Sequence, residues 1–242
     1  MERDYFVSVA IATYNGEKYL KEQLETILSQ LKEKDEIIIS DDGSTDNTKQ
    51  IIRQFNDDRI KIIEGPKKGV KQNFANAISN CNGKYIFLAD QDDLWMENKV
   101  EEVLKYFNSN SSVKCVLHDC VVFDSENGNT LFDSFFKYRK CKKGILKNII
   151  KNSYIGCCMA FDCSLKKRVL PIPQNIEMHD QWIGLLAEKN GEVIFSEKKL
   201  IKYRRHACNV SSMKHYPFMK MLKNRITLCL EYIRRWLSCL ML

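Results

Sequence analysis

The sequence predicts an α/β protein with a mostly parallel sheet flanked by helices. Two observations carry that prediction. Short, β-rich apolar runs alternate with helical patterns of roughly 10 to 15 residues through residues 5–100. Runs as apolar as "EIIIS" and "YIFLA" suit strands covered on both faces. A third observation points to where chemistry would sit. The runs end on Thr13-Tyr14-Asn15, Asp41-Asp42-Gly43-Ser44 and Asp90-Gln91-Asp92-Asp93. In parallel sheets the ligand crevice lies beyond the carboxyl ends of the strands.

The elements follow in order. "FVSVAIATYNG" is a strand that stops at a turn signal, and "EKYLKEQLETILSQL" places Tyr19, Leu20, Leu24, Ile27, Leu28 and Leu31 on one helical face. "DEIIISDDGSTD" repeats the scheme, with a helix from about Asn47 and Thr45 or Asp46 as its N-cap. "RIKIIEG" is a third strand, "VKQNFANAISNC" a third helix closed by Gly83, and "KYIFLAD" a fourth strand. Beyond Lys99, "KCVLHDCVVFD" reads as a long strand and residues 124–143 as an exposed, basic and aromatic excursion. "GCCMAFD" and "GEVIFSE" are further strands, with the helix "MHDQWIGLLAEKNG" between them and Gly191 past its end.

A chain of 242 residues, 44% hydrophobic and 29% charged, suits one large domain, or one domain with an appendage, rather than a disordered chain. The net charge of +7 fits an anionic membrane surface, nucleic acid or a phosphorylated substrate without choosing among them. The 10 cysteines are not spaced as a disulfide framework, and no signal-peptide pattern opens the chain, so a reducing cytoplasm is expected. Cys115, His118 and Cys120 lack a second ligand pair and read as strand packing. The patterns GxGxxG and GxxxxGK[ST] are absent, which argues against a dinucleotide oxidoreductase and a P-loop NTPase. No basic recognition element for nucleic acid is present.

Three aspartates at a strand end repel one another unless a cation balances them. Hard cations such as Mg²⁺ or Mn²⁺ take carboxylate oxygens together with substrate phosphates. A helix cap would account for Asp93 but not for Asp90 and Asp92 as well. Asp41-Asp42-Gly43-Ser44 taken alone reads as an Asx turn, although a carboxylate there could also accept from a base N–H or a ribose hydroxyl.

In combination, "VSVAIATYNGEKYLKEQLETILSQ", "DEIIISDDGSTDNT" and "GKYIFLADQDDLW" resemble the family 2 glycosyltransferases of GT-A fold, in particular rhamnosyltransferase-like enzymes of bacterial polysaccharide synthesis. The likeness resumes at "MHDQWIGLLA" and "YRRHACNVS". It implies a GT-A domain over residues 1–215, with a nucleotide-binding half at 1–100 and an acceptor-side half at 101–215. Thr13, Tyr14, Asn15, Asp41, Asp42 and Asp90 would contact the nucleotide. Asp92, with His206, would hold Mn²⁺ or Mg²⁺. Asp180 would be the base of an inverting transfer, with His179 in the place of the family's usual first acid and therefore a rival. Arg204 and Arg205 are suited to phosphate oxygens, and His206 could contact the diphosphate or the metal. Lys71 offers itself to the diphosphate where the family has an arginine beside Asn73 and this chain has Gln72. The donor would be a nucleotide-diphosphate sugar, and the acceptor a glycan or lipid-linked glycan at the inner face of the membrane. A non-catalytic domain of the same fold, binding sugar nucleotides or a partner protein, is the alternative. A nucleotidyltransferase would need a glycine- and arginine-rich N-terminal loop, which "ATYNGEKY" is not.

Residues 216–242 read as an amphipathic helix. Leu222, Ile226, Cys229, Leu230, Ile233, Leu237 and Leu240 form one stripe, and Lys220, Lys223, Arg234 and Arg235 fall mostly opposite. The charges are too frequent for a spanning helix. The pattern suits a membrane interface, a helix packed on its own domain, or a dimer contact.

Overall fold

The computed structural model describes residues 6–207, 209 and 217–240. The first half runs β1 (Val7–Thr13), α1 (Leu20–Leu28), β2 (Glu36–Asp41), α2 (Thr48–Gln54), β3 (Ile60–Glu64), α3 (Val70–Asn80) and β4 (Tyr85–Ala89). Then come β5 (Leu94–Trp95), α4 (Lys99–Ser109), β6 (Val113–Asp124), β7 (Thr130–Phe132), α5 (Phe135–Arg139), α6 (Ile145–Ile150), β8 (Met159–Asp162) and α7 (Lys166–Val169). The chain ends with α8 (His179–Asn190), β9 (Glu192–Arg205) and α9 (Phe218–Leu240).

One sheet collects the strands in the order β3-β2-β1-β4-β8-β6-β9-β5, with β7 on β6. The first four are parallel, as the alternating pattern predicts. Their connecting helices bury Leu20, Leu24 and Ile27 from α1 and Phe74, Ala77 and Ile78 from α3 against the sheet. Strand β8 then inserts antiparallel to both β4 and β6, whereas β6 and β9 pair in parallel over most of their length. The register sets up the site. Thr13 lies opposite Asp41 and Ile11 opposite Ala89, so the polar ends of β1, β2 and β4 open on one edge.

Several boundaries differ from the sequence pattern for identifiable reasons. The helix that Asp93 would cap starts only at Lys99, because Leu94 and Trp95 first pair with β9. Asp93 is therefore not a helix cap. Strand β9 runs well past "GEVIFSE", because the polar residues Glu197 and Lys198 sit at a register shift opposite His118 and Asp119. The stretch 124–143 contains β7 and α5, and the short α6 and α7 lie beyond it. The N-cap of α2 is Asn47 rather than Thr45 or Asp46, because the helix starts only at Thr48; Asp46 Oδ1, one residue before the cap, accepts from the Thr48 N–H at 3.0 Å. The expected domain boundary at 215/216 lies outside the described residues.

Helix α9 packs on α6 and α8. No helix among the described residues is long and apolar enough to cross a membrane. Cysteines 81, 115, 120, 141, 157, 158, 163 and 229 are free thiols.

Candidate active site

At the ends of β1 and β2 the chain stitches two loops together. Asp41 is fully buried. Its Oδ1 accepts from the Gly43 and Ser44 N–H groups at 3.2 and 2.9 Å, and its Oδ2 from Thr13 Oγ1 at 2.9 Å and Ser44 Oγ at 2.6 Å. Burial raises this carboxyl's pKa, but the bonds from Ser44 and Thr13 and the nearby Lys49 ammonium outweigh burial and hold it below the ordinary value. Gly43, at φ +95°, makes the turn that aims these amides inward. Asn15 completes the clasp: its N–H donates to Ser44 Oγ at 2.9 Å, and its Oδ1 accepts from Thr45 N–H at 2.9 Å. Asp42 accepts from Lys67 and Gly69 N–H at 2.6 and 2.8 Å and so fixes the next loop. Tyr14 is 57% exposed on this rim.

Gln91, between the two aspartates of the Asp-x-Asp element, ties β4 to this rim. Its amide accepts from Tyr14 N–H at 2.9 Å and donates to Tyr14 O at 3.1 Å. Sequence reasoning gave it no role. Gln23 from α1 adds a bond to Asp90 O at 2.8 Å.

The acidic end of β4 divides in two directions. Asp92 Oδ2 meets His206 Nε2 at 2.6 Å and Asn209 Nδ2 at 3.3 Å, so a residue beyond β9 joins the Asp-x-Asp element across 114 positions of chain. The His206 ring rests against Tyr19, with centroids 4.9 Å apart. Asp93 points inward. Its Oδ1 accepts from Arg204 N–H at 2.9 Å, and its Oδ2 is buried with no hydrogen-bond partner of ordinary geometry. Carboxylate oxygens of Asp90 and Asp93 lie within 4.8 Å of each other and of Cys157 Sγ. Burial first, then the Asp92 and Asp180 charges, push Asp90 up to about 7, and burial with Asp92 and Asp90 raises Asp93 well above the carboxylate range. A second buried cation besides Arg204 is Lys99. Its ammonium donates to Cys157 O at 2.9 Å and lies 4.0 Å from the centroid of the Trp95 ring. Burial brings it down to about 8, with the charge of Asp93 resisting. This centre holds more negative charge than its own partners balance, and its carboxylate and imidazole donors fit a cation such as Mn²⁺.

The N-terminus of α8 faces the same centre. Asp180 is 6% exposed. Burial drives its carboxyl up to about 7, against bonds from the Gln181 and Gly156 N–H groups and the Asn152 side chain. A carboxylate poised near neutrality can accept a proton at working pH. His179 is not equivalent. It is 2% exposed and stacked on Phe74 with centroids 4.2 Å apart, and neither ring nitrogen has a hydrogen-bond partner among the described residues. Burial takes it down to about 3, so it is a neutral core residue and a poor base.

Two expected phosphate contacts are committed elsewhere. The Arg204 guanidinium donates to Asp92 O at 2.7 Å and Glu22 Oε2 at 2.6 Å, beneath the Tyr19 ring. Lys71 donates to the Gln174 and Ile176 carbonyls. Both brace loops. His118 Nδ1 donates to Asp119 O at 2.8 Å within the sheet, and among the described residues it forms no metal cluster with Cys115 and Cys120. Cys157, Lys99, Asn152 and Gln91 are the site residues sequence reasoning missed. "GCCMAFD" reads as a strand throughout, but Gly156–Cys158 form a 3-10 turn and only Met159–Asp162 form β8, and nothing in the pattern announces a thiol at the acidic centre.

An acidic strand end faces a helix N-terminus across the carboxyl edge of a parallel sheet, where the ligand crevice of an α/β fold lies. The family model described as "Glycosyl transferase family 2" matches residues 8–170, and the chain belongs to that family. Over 214 residues it is 27% identical to the UDP-Glc:alpha-D-GlcNAc-diphosphoundecaprenol beta-1,3-glucosyltransferase WfgD of Escherichia coli, covering 87% of this chain and 81% of that one. It is 28% identical over 241 residues to the dTDP-rhamnosyl transferase RfbG of Shigella flexneri, covering 89% and 80%. The crystal structure of S. aureus TarS 1-349 in complex with UDP-GlcNAc superposes with a TM-score of 0.72 at 19% identity, covering 92% of this chain and 66% of that one. The chain thus spans less than two thirds of the TarS fragment, and that likeness concerns the fold.

Proposed function

We propose that this chain transfers a sugar from a pyrimidine nucleotide-diphosphate donor to a glycan or lipid-linked acceptor in bacterial surface polysaccharide synthesis, with inversion at the anomeric carbon. The observation that carries the reading is convergence. His206 from beyond β9 pairs with Asp92 at the end of β4, and Asp92 and Asp180 from the start of α8 both act on Asp90, although the chain separates them widely. The donors named for WfgD and RfbG, UDP-Glc and a dTDP-sugar, both carry pyrimidine bases, which supports a pyrimidine nucleotide here.

In this reading Tyr14, Asn15 and Asp42 receive the nucleoside, Tyr14 offering an exposed ring, while the buried Thr13 and Asp41, expected as direct contacts, shape the loop beneath them. Asp90 lies toward the ribose. Asp92 and His206 would hold Mn²⁺ or Mg²⁺, which when bound offsets the charge developing on the leaving diphosphate. Asp180 takes the proton from the acceptor hydroxyl as that oxygen attacks the anomeric carbon. The bond from the anomeric carbon to the diphosphate breaks, and its electron pair leaves with the diphosphate. One displacement and one base give inversion. The acceptor named for WfgD is a diphosphoundecaprenol, which supports a lipid-linked acceptor, a cytoplasmic site of action at the membrane, and a peripheral contact through residues 216–242. The test is the anomeric configuration of the product, followed by proton NMR from a donor of known configuration. Inversion is expected, and retention would overturn the single displacement.

A further inference from the structure

Helix α9 is docked by its polar side. Leu228 is buried and Tyr232 packs half-buried against the core, and polar anchors join them. The Arg225 guanidinium donates to Ile150 O at 3.0 and 2.6 Å, and that of Arg235 to Leu170 O at 2.7 Å and Pro171 O at 2.6 Å. The apolar stripe faces outward. Met219 is 72% exposed, and Leu222, Ile226, Leu230, Ile233 and Leu237, spaced three or four apart, are 40–52% exposed. Beside it α6 presents Leu146 and Ile150, 77% and 65% exposed. A contiguous apolar patch of this kind marks an interaction surface.

Charge identifies the occupant. Residues 134–151 carry seven basic side chains and no acidic one, and α9 carries five basic and one acidic. The whole chain has 38 basic and 31 acidic side chains, so what remains outside these two segments is 26 against 30, a net acidic body. The excess positive charge of the protein is therefore concentrated in the two segments that build this face, with Lys223 and Arg234 along one edge of the stripe. A second copy would bring two such basic rims together, at a Coulombic cost. An anionic bilayer accepts both features at once: apolar side chains enter the acyl boundary and lysines meet the headgroups.

We infer that α9 and the basic segment carrying α6 form one composite face that lies on an anionic lipid bilayer. This rests on the proposed function for its purpose and extends the contact from the tail to a second, separate stretch of chain. The face also bears on the site. Asn224 Nδ2 donates to Glu177 Oε2 at 2.7 Å and Asn175 Nδ2 to Glu231 Oε1 at 2.8 Å, which ties α9 to the loop leading into Asp180. A lipid-linked acceptor would reach the candidate base from the bilayer side.

The experiment is flotation of the full chain with vesicles of phosphatidylglycerol and phosphatidylethanolamine, and with phosphatidylcholine alone, at low and high salt. Two variants accompany it. One is the triple Ile226→Glu, Leu230→Glu and Ile233→Glu. The other is the triple Lys142→Glu, Lys143→Glu and Lys147→Glu. All six positions are exposed or half-exposed to solvent, and circular dichroism checks that the variants fold. The chain should float with anionic vesicles, weakly with phosphatidylcholine, and less in high salt. The apolar triple should abolish binding. The lysine triple should weaken it by on the order of 100-fold, from roughly fivefold per basic side chain at such a surface. Failure of the unmodified chain to float with anionic vesicles would overturn the inference. So would undiminished binding of the lysine triple, or a dimer in solution that the apolar triple dissolves. Donor hydrolysis measured without vesicles separates the two readings. If it persists while flotation fails, the surface and the membrane contact through the tail are misread, and the proposed sugar transfer stands.

Discussion

Replacing Asp180 by Asn should cost turnover while strengthening the fold at alkaline pH. The carboxyl is buried, and its pKa rises from the ordinary 3.8 to about 7, with burial the largest cause. At about 1.36 kcal/mol per unit, ionising it inside the fold costs up to ~4 kcal/mol relative to the unfolded chain. The sign follows from proton counting. Between pH ~4 and ~7 the folded state holds a proton that the unfolded state has released, so stability falls as pH rises through this window. Asn cannot ionise, and its penalty is absent. The amide has one acceptor oxygen where the carboxylate has two, so one of the bonds from Gln181, Gly156 or Asn152 is lost, at about 1 kcal/mol. The variant should therefore be more stable than the parent by about 2–3 kcal/mol at pH 8, and equal or slightly weaker near pH 4.5. Urea melts in EDTA at the two pH values measure this, and transfer should fall by about 10²–10⁴-fold. A stability difference that does not change between the two pH values would refute the buried, proton-binding Asp180 described here.

Other outcomes follow from the same geometry. Asp92→Asn should fold normally and lose metal-dependent binding of UDP or dTDP, read by calorimetry with and without Mn²⁺; undiminished binding would remove Asp92 from the cation. His179→Ala should lose about 2–4 kcal/mol from the stacked contact with Phe74, yet keep turnover within severalfold when assayed well below its melting point. If that variant is dead and Asp180→Asn is active, the base is misassigned. Gly184→Ala would set a Cβ 2.3 Å from the Tyr154 ring. It should lower stability by about 1–3 kcal/mol without touching the acidic centre, and an unchanged melting temperature would contradict that packing.

The sequence was informative where one local pattern decided the structure. Runs such as "EIIIS" could be buried only as strands between two helical layers, and their polar ends had to share one edge once the strands were parallel. The pairing of Asp92 with His206, by contrast, depends on β9 extending past its polar stretch, and a register shift on β6 allows this without leaving any mark in the apolar pattern. Arg204 and Lys71 looked like phosphate ligands because a cation in a loop looks the same whether it binds ligand or backbone. Their bonds to Glu22, Gln174 and the Asp92 carbonyl exist only in three dimensions. Cys157 and Lys99 were invisible for a related reason, since a thiol in an apolar run and a lysine at a helix start are ordinary until tertiary packing sets them against Asp93. The outward stripe of α9 shows the limit of periodicity, which finds the two faces of a helix but not which of them is docked.

The central claim is that the rim joining Asp92, His206 and Asp180 turns over a nucleotide sugar with the help of a divalent cation. The most direct measurement is release of nucleoside diphosphate from a panel of UDP- and dTDP-sugars by the full chain, in Mn²⁺ and in EDTA. The account predicts turnover of at least one of these donors in Mn²⁺, loss of it in EDTA, and no recovery in the Asp92→Asn variant. Equal turnover in EDTA, or full activity of that variant, would contradict it.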